Sequence, residues 1–345
     1  MTAGWRSARP LAVLGTGHAL PGAPVETDAL IARMVDRFGF VRSSRAAAAA
    51  HRLGIRTRHF ARPFDAPHEI AAEGHANEEL AARAVRDACD AAGIAVSDLG
   101  YLIGHTTTPT SLLPAGIAAV ADLIGYDGPH VELRQACTGF ANALMIADGL
   151  IAAGIDRPVA IVGSETGSLH FDPRRLDEDH SQIINLMQMG DGAGAIILAP
   201  GHGSGARLEA AWFGCVGRGR SPGIALKSGA REFDHDAAAV LRSGPQLFEA
   251  GAETAASLGH APEHADWIIP HQVSGRIGPL VAERFGGDPA RVFIDADRLG
   301  NTGSAAILIA LDRLRAGPIC AGQTAVALGA EASKFMFGGF AYAHG

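Results

Sequence analysis

Short apolar runs alternate with longer stretches of helical periodicity along most of this chain, and no other feature narrows its fold as much. Residues 11–14 read as a strand ending in Gly15-Thr16-Gly17. Residues 78–92 follow as a helix, with Leu80, Ala84 and Ala88 four apart, and residues 99–103 as a short buried strand. The theme continues with helices over 114–124 and 140–153 and strands over 131–133, 159–162 and 195–198. In the second half, helices are expected over 245–258, 276–285 and 303–314, with strands over 267–269 and 324–328. Such alternation predicts an α/β fold whose strands are covered on both faces.

A local echo suggests duplication. Val96-Ser97-Asp98-Leu99-Gly100-Tyr101-Leu102-Ile103-Gly104-His105 and Ala265-Asp266-Trp267-Ile268-Ile269-Pro270-His271 each read as helix, acidic turn, buried strand and a polar residue at the strand end. Two similar halves are therefore expected, residues 1–200 and 201–345, meeting at the glycine-rich stretch 200–205. Residues 170–189, which include Phe171-Asp172-Pro173-Arg174-Arg175, look polar and irregular, as an insertion or surface loop would.

Composition excludes several classes. A formal net charge of −7 gives no general electrostatic grip on nucleic acid. The 44 glycines and 18 prolines are dispersed, which argues against a fibrous or disordered chain. No uninterrupted run of about 18 apolar residues is present, so no membrane span is expected. Residues 1–10 carry arginines without a following signal-peptide core. Cys89, Cys137, Cys215 and Cys320 stand far apart, with neither CxxC spacing nor a neighbouring histidine suited to zinc. A cytoplasmic, reducing compartment is the expectation.

Three residues could carry chemistry. Cys137 lies between a short strand and a helix opening near Gly139-Phe140, and a thiol there would feel unpaired backbone N–H groups and the positive end of the helix dipole. Its structural alternative is a small buried hydrophobe. His271 follows a buried strand, where α/β folds place reactive groups; its alternative is a satisfied core histidine. Asn301, in Leu299-Gly300-Asn301-Thr302-Gly303-Ser304, could aim an amide donor at developing negative charge or cap the helix that follows. Gly190-Asp191-Gly192-Ala193-Gly194-Ala195 precedes a strand and lacks a following GK[ST], so it reads as a tight, close-packed turn. Gly15-Thr16-Gly17 lacks the third glycine of a dinucleotide site.

Together these segments resemble the β-ketoacyl-ACP synthase III group of the thiolase superfamily. Arg134-Gln135-Ala136-Cys137-Thr138-Gly139-Phe140 resembles that family's A-C-x-G-F pattern. Ile269-Pro270-His271-Gln272-Val273-Ser274-Gly275-Arg276-Ile277 resembles I-P-H-Q-A-N-x-R-I, and Gly300-Asn301-Thr302-Gly303 resembles G-N-T-S. The turn 190–195 matches G-D-G-A-G-A, and Gly54-Ile55-Arg56-Thr57-Arg58 resembles G-I-x-x-R. The order of the motifs fits, and they span nearly the whole chain.

The resemblance implies a thiolase-like fold of two duplicated halves in α-β-α-β-α layers. It implies acylation of Cys137 by an acyl-CoA or acyl-ACP, then decarboxylative condensation with malonyl-ACP to a 3-oxoacyl thioester. His271 and Asn301 would donate to the enolate oxygen, and the Cys137 N–H to the acyl oxyanion. No metal or redox cofactor is implied. Arg276 matches a residue used for the acidic carrier protein, and Leu113 an aromatic position that closes the acyl pocket from the partner subunit of a homodimer. Phe140 and Gly329 fall on substrate-binding positions of the same resemblance. Four departures stand out: His271-Gln272-Val273-Ser274 for H-Q-A-N, leucine at 113, Gly329-Ala330-Glu331-Ala332-Ser333 where the family has a G-G-G loop, and the polar insertion 171–188 without a counterpart there. They point to a specialised starter acyl group in fatty-acid or secondary-metabolite synthesis. A non-condensing acyltransferase passing the acyl group to an alcohol or amine, and a non-catalytic acyl-binding partner subunit, remain open on the same scaffold.

Overall fold

Residues 4–63, 71–201, 205–227, 232–285 and 287–345 are described in the computed structural model of the chain. In chain order its elements are β1 (Gly4–Ser7), β2 (Leu11–Ala19), β3 (Val25–Glu26), α1 (Thr27–Phe38), α2 (Ser43–Leu53), β4 (Thr57–Arg58), α3 (Asn77–Ala92), β5 (Tyr101–His105), α4 (Gly116–Ile124), β6 (His130–Leu133), α5 (Gly139–Ala152), β7 (Val159–Glu165), α6 (His180–Gln188) and β8 (Gly192–Pro200). Then follow β9 (Arg207–Cys215), β10 (Ile224–Ala225), β11 (Asp234–His235), α7 (Ala237–Ser257), β12 (Trp267–Pro270), α8 (Ile277–Arg284), α9 (Ala296–Leu299), α10 (Ala306–Arg315), β13 (Thr324–Glu331) and β14 (Met336–Ala343).

The main described sheet runs β12-β13-β14-β9-β2-β8-β7-β5-β6, with β1 added beside β9. Counting each half from its own first strand, the first half reads 3-2-4-5-1 from β6 to β2. The second half repeats that order, its third strand shrunk to the isolated parallel bridge between Ile268 and Val292. The halves join where Leu11 and Ala12 of β2 pair antiparallel with Leu208 and Arg207 of β9. Residues 202–204, within the stretch read as the boundary between the halves, lie outside the described residues.

Three apolar clusters set the layers. The central one holds Phe140, Leu144 and Ile151 of α5 and Ile307, Leu308, Leu311 and Leu314 of α10 against strands of both halves. One outer layer buries α3 and α4 on the first half's strands, with Leu80, Val85, Ile117 and Val120 inward. The other buries Leu247, Phe248 and Ala252 of α7 and Val281 of α8 against Trp212, Val326 and Phe337. This is the expected α-β-α-β-α arrangement. Both faces of the strands are buried, so the apolar runs carry no alternation to mark them.

Some elements differ from expectation. Residues 170–189 contain α6, capped by the Asp179 carboxylate, which accepts from the Ser181 N–H at 2.8 Å. The helix buries Ile183, Leu186 and Met187 against α1 and α2, so a narrow i, i+3, i+4 stripe inside polar sequence sufficed for a packed helix. Strands β9 and β14 leave no clear strand signal in the sequence because Ala and Gly fill much of Arg207–Cys215 and Met336–Ala343. Helix α7 starts at Ala237 and runs through Pro245. Buried Leu247, Phe248 and Ala255 hold it across the missing proline N–H.

Gly15 and Gly17 serve packing, letting β2 lie directly on α3. A methyl group on Gly17 would stand 2.5 Å from the Ala88 amide nitrogen and 2.7 Å from the Ala84 carbonyl oxygen, both backbone atoms that cannot swing aside. Gly17→Ala is therefore expected to cost about 2 kcal/mol through overpacking. Urea unfolding checks this, as a lower midpoint at unchanged slope.

Candidate active site

The chain leaves β6 and turns at Gln135-Ala136-Cys137-Thr138 before entering α5. The Gly139 N–H returns to Ala136 O at 2.9 Å and the Ala141 N–H to Thr138 O at 3.0 Å, which starts the helix one residue beyond Thr138. Gln135 braces the turn from above: its Nε2 donates to Thr138 Oγ1 at 3.0 Å, and its Oε1 accepts from Asn142 Nδ2 at 2.5 Å. His105, at the end of β5, braces it from below. A methyl on Gly139 would lie 2.7 Å from the His105 Cγ, and one on Gly163 would lie 2.6 Å from its Nε2. Only glycine on both neighbours leaves room for this imidazole, which burial pushes down to about 3 and so keeps neutral.

Cys137 itself is half-buried. Its thiol sits well above the ordinary range, first because of burial and then because the carboxylates of Glu331 and Glu165 are close. Position at a helix start led to the opposite expectation, a stabilised thiolate. The local dipole is outweighed first by burial and then by two carboxylates that come from distant parts of the sequence.

His271 emerges from β12 fully buried, its N–H donating to Leu328 O of β13 at 2.8 Å. Its Nδ1 has no hydrogen-bond partner, and burial lowers the ring to about 4, leaving it uncharged near neutral pH. Gln272 locks this turn. Its Nε2 donates to Pro270 O at 2.7 Å and Phe293 O at 3.1 Å, while its Oε1 accepts the N–H groups of Asp295 at 2.8 Å and Ala296 at 3.2 Å.

Asn301 sits on a turn held on both sides. Its N–H donates to Gln188 O at 2.8 Å, and its carbonyl accepts from the Gly190 N–H at 3.1 Å. Gly190 can carry no side chain here, because a Cβ would collide with the Leu299 carbonyl oxygen. The Asn301 Oδ1 accepts from the Gly303 N–H at 3.0 Å, which commits the amide oxygen and turns the NH2 group outward as a donor. Behind it, the buried Asp191 carboxylate accepts from the Ala61 N–H at 2.7 Å and the Ser168 N–H at 3.0 Å, and also from the Ser168 hydroxyl. Burial pushes Asp191 up to about 7. Residues 54–58 flank the same turn: the Arg56 N–H donates to Asp297 O at 2.7 Å, the Thr57 hydroxyl to Arg298 O at 2.7 Å and Arg58 Nη2 to Met187 O at 3.0 Å.

Two carboxylates connect the turns. Glu165 accepts from the hydroxyls of Thr107, at 2.7 Å, and Thr108, and from Ser304 through its N–H at 3.2 Å and its hydroxyl at 2.8 Å. The Ser304 hydroxyl also lies 3.3 Å from Gln135 O, on the Cys137 turn. Glu331, at the end of β13, accepts from the Thr138 N–H at 3.0 Å and the Thr138 hydroxyl at 2.6 Å. Thr138 with Glu331, Leu328 with His271, and the 304–301 turn with Gln135 bring the three turns to one side of the sheet.

The other expected residues scatter around this centre. Gly329 lies on β13 against the Phe140 ring; a Cβ there would stand 2.8 Å from Phe140 Cε1. Phe140 is fully enclosed, edge-on to Phe340 at 5.9 Å, so it is a wall of the core behind the site rather than an open substrate surface. Leu113 is 89% exposed on the loop between β5 and α4, far from any packed position in the single chain. Arg276 is exposed, its Nη2 3.3 Å from His51 Nε2. The sequence assigns no role to Glu165, Thr138, His105 or Gln272: Glu165 and Thr138 act across the halves, through Ser304 and Glu331, and His105 and Gln272 support turns within their own half. Among the described residues, no group of three His, Cys, Asp or Glu side chains is arranged to hold a metal ion.

Comparison with known proteins fits this geometry. The family model described as 3-oxoacyl-[acyl-carrier-protein (ACP)] synthase III matches residues 131–217, and the model of its C-terminal part matches 255–338. The β-ketoacyl-[acyl-carrier-protein] synthase III of Rhizorhabdus wittichii is 31% identical over 97% of this chain and 98% of its own. Among solved structures, the tetronic acid condensing enzyme AbyA1 superposes with a TM-score of 0.84 at 29% identity, covering 96% of this chain and 99% of that one. The priming β-ketosynthase of the R1128 polyketide pathway gives 0.77 at 25% identity, covering 98% and 97%. The chain belongs to the β-ketoacyl-[acyl-carrier-protein] synthase III family and is a condensing enzyme of thiolase-like fold.

Proposed function

We propose that the enzyme loads an acyl group onto Cys137 and condenses it with a malonyl thioester, with His271 and Asn301 as the two donors of the decarboxylation step. One observation carries this reading: the Asn301 amide oxygen is committed to Gly303 while burial keeps His271 uncharged. Each can then donate a hydrogen bond without surrendering a proton. In the first step the Cys137 sulfur attacks the acyl carbonyl, the carbon–sulfur bond of the donor thioester breaks, and the carrier leaves as a thiol with the proton. In the second, the malonyl C–C bond breaks and CO2 departs. The electron pair enters an enolate whose oxygen is held by the His271 and Asn301 N–H groups. The enolate carbon attacks the acyl carbon, the bond to Cys137 breaks, and the released thiolate takes a proton from solvent.

The starter would be a specialised acyl group. Leu113 leaves space where the family has an aromatic ring, and two relatives that align over nearly the whole chain are named for polyketide priming and for tetronic acid condensation. Exposed Leu112 and Leu113 fit a homodimer in which this loop closes the partner's acyl pocket. Arg276 would receive the acidic carrier protein. The halves 1–200 and 201–345 would each contribute to the site, Cys137 from one and His271 with Asn301 from the other. No described helix is long and apolar enough to cross a membrane, and we assign the enzyme to the cytoplasm.

Incubation with an acyl-CoA followed by mass spectrometry should show one acyl adduct, lost in Cys137→Ala. His271→Ala and Asn301→Ala should keep the adduct but release CO2 from malonyl-ACP about 100-fold more slowly. An adduct without CO2 release in the wild type would instead mark a non-condensing acyltransferase, and no adduct a binding protein. Leu113→Phe should shift preference toward shorter acyl-CoA chains in a chain-length series, and a strong acetyl preference in the wild type would defeat the specialised-starter reading. Arg276→Glu should raise KM for malonyl-ACP about tenfold without weakening acyl-CoA loading, measured by steady-state turnover.

A further inference from the structure

Glu331 stands where a condensing site has no evident need of a carboxylate. It is 1% exposed and closes the β13–β14 hairpin, paired with Met336. Its Oε2 takes both the N–H and the hydroxyl of Thr138, and its Oε1 takes the Ser333 hydroxyl. Thr138 is the N-cap residue of α5, and its hydroxyl makes no cap bond to the helix: it donates to Glu331 and accepts from Gln135 Nε2. The negative charge therefore occupies the positive end of α5, the position that would otherwise stabilise a Cys137 thiolate.

We propose that Glu331 is a positioning residue that tethers the nucleophile turn through Thr138 and holds resting Cys137 as a thiol, so that the sulfur becomes nucleophilic only as it attacks a bound thioester. In that step the S–H bond of Cys137 breaks as its sulfur bonds to the acyl carbon, and the departing carrier leaves with that proton. Other groups facing the thiol agree with this arrangement. Glu165 on β7 adds a second carboxyl group, itself raised by burial, while His105 on β5 and His271 after β12 are neutral imidazoles. Arg134, on the same turn, is exposed and paired with Glu132 at 2.9 Å. Burial and the two carboxylates together hold the Cys137 thiol high. The benefit is chemical selectivity, since a thiol ignores stray electrophiles that a thiolate would capture.

This inference rests on Cys137 being the acylated residue, but its test reads the thiol directly and does not require acyl transfer. The rate of iodoacetamide alkylation at Cys137, mapped by mass spectrometry, is followed against pH. The wild-type midpoint is expected above that of an ordinary thiol at about 8.5. In Glu331→Gln, with melting temperature confirmed, the midpoint should fall by about one pH unit, giving roughly tenfold faster alkylation at pH 7.5. Glu331→Asp, which keeps the charge, should keep the wild-type midpoint. Should the glutamine variant not fold, Glu331→Ser, with space for a water at the Thr138 N–H, takes its place. A wild-type midpoint at or below the ordinary value overturns the proposal with no variant at all. So does an unchanged midpoint once the charge is removed.

Discussion

The buried carboxylate of Glu165 is the contact on which the site depends. Four hydrogen bonds reach it from Thr107, Thr108 and Ser304, and through Ser304 it touches both the Asn301 turn and the Cys137 turn. An unpaired carboxylate in that position would cost several kcal/mol. Four donors offset that cost only if the loop after β5, the end of β7 and the start of α10 arrive together. The same group that is expensive to bury is thus satisfied in one arrangement of the two halves. Burial still raises Glu165, against hydrogen bonds that lower it.

The electrostatics of the site are those of neutral donors beside buried carboxyl groups. His105 and His271 are held uncharged by burial, and the Cys137 thiol is held protonated by burial and carboxylates. Decarboxylation suits this setting. It creates charge on an enolate oxygen that needs hydrogen bonds, and an imidazolium would be an acid able to quench the carbanion. The architecture places the donors accordingly: both sit on second-half turns, while the nucleophile sits on the turn that enters α5, the first-half helix of the central apolar cluster.

Much of the fold was legible because buried strands leave dense apolar runs and the amphipathic helices α3, α5 and α10 show their spacing. Strand β14 was not, since Gly338 and Gly339 make room for Trp212 and neighbouring strands and so look like a loop in sequence. Helix α6 was hidden among charges whose partners lie elsewhere: Asp177 accepts from the Val41 N–H at 3.0 Å and the Arg42 N–H at 2.9 Å, a contact unknowable from local pattern. In the site, Cys137, His271 and Asn301 could be named from their motifs. Thr138 and Gln272 stand in those motifs without a role that can be read from them, and Glu165 stands in none, because a residue that acts by satisfying a remote turn carries no local signature.

The sequence by itself determined the α/β class, the doubled organisation and the residues at the three turns, because periodicity and motif spacing are local properties of a chain. Only the tertiary structure decided the state of those residues. A helix start argues for a thiolate at Cys137, yet burial first, and then Glu331 and Glu165 from β13 and β7, reverse the sign. Electrostatic free energy depends on distance in space and on burial, and neither can be read from separation along the chain.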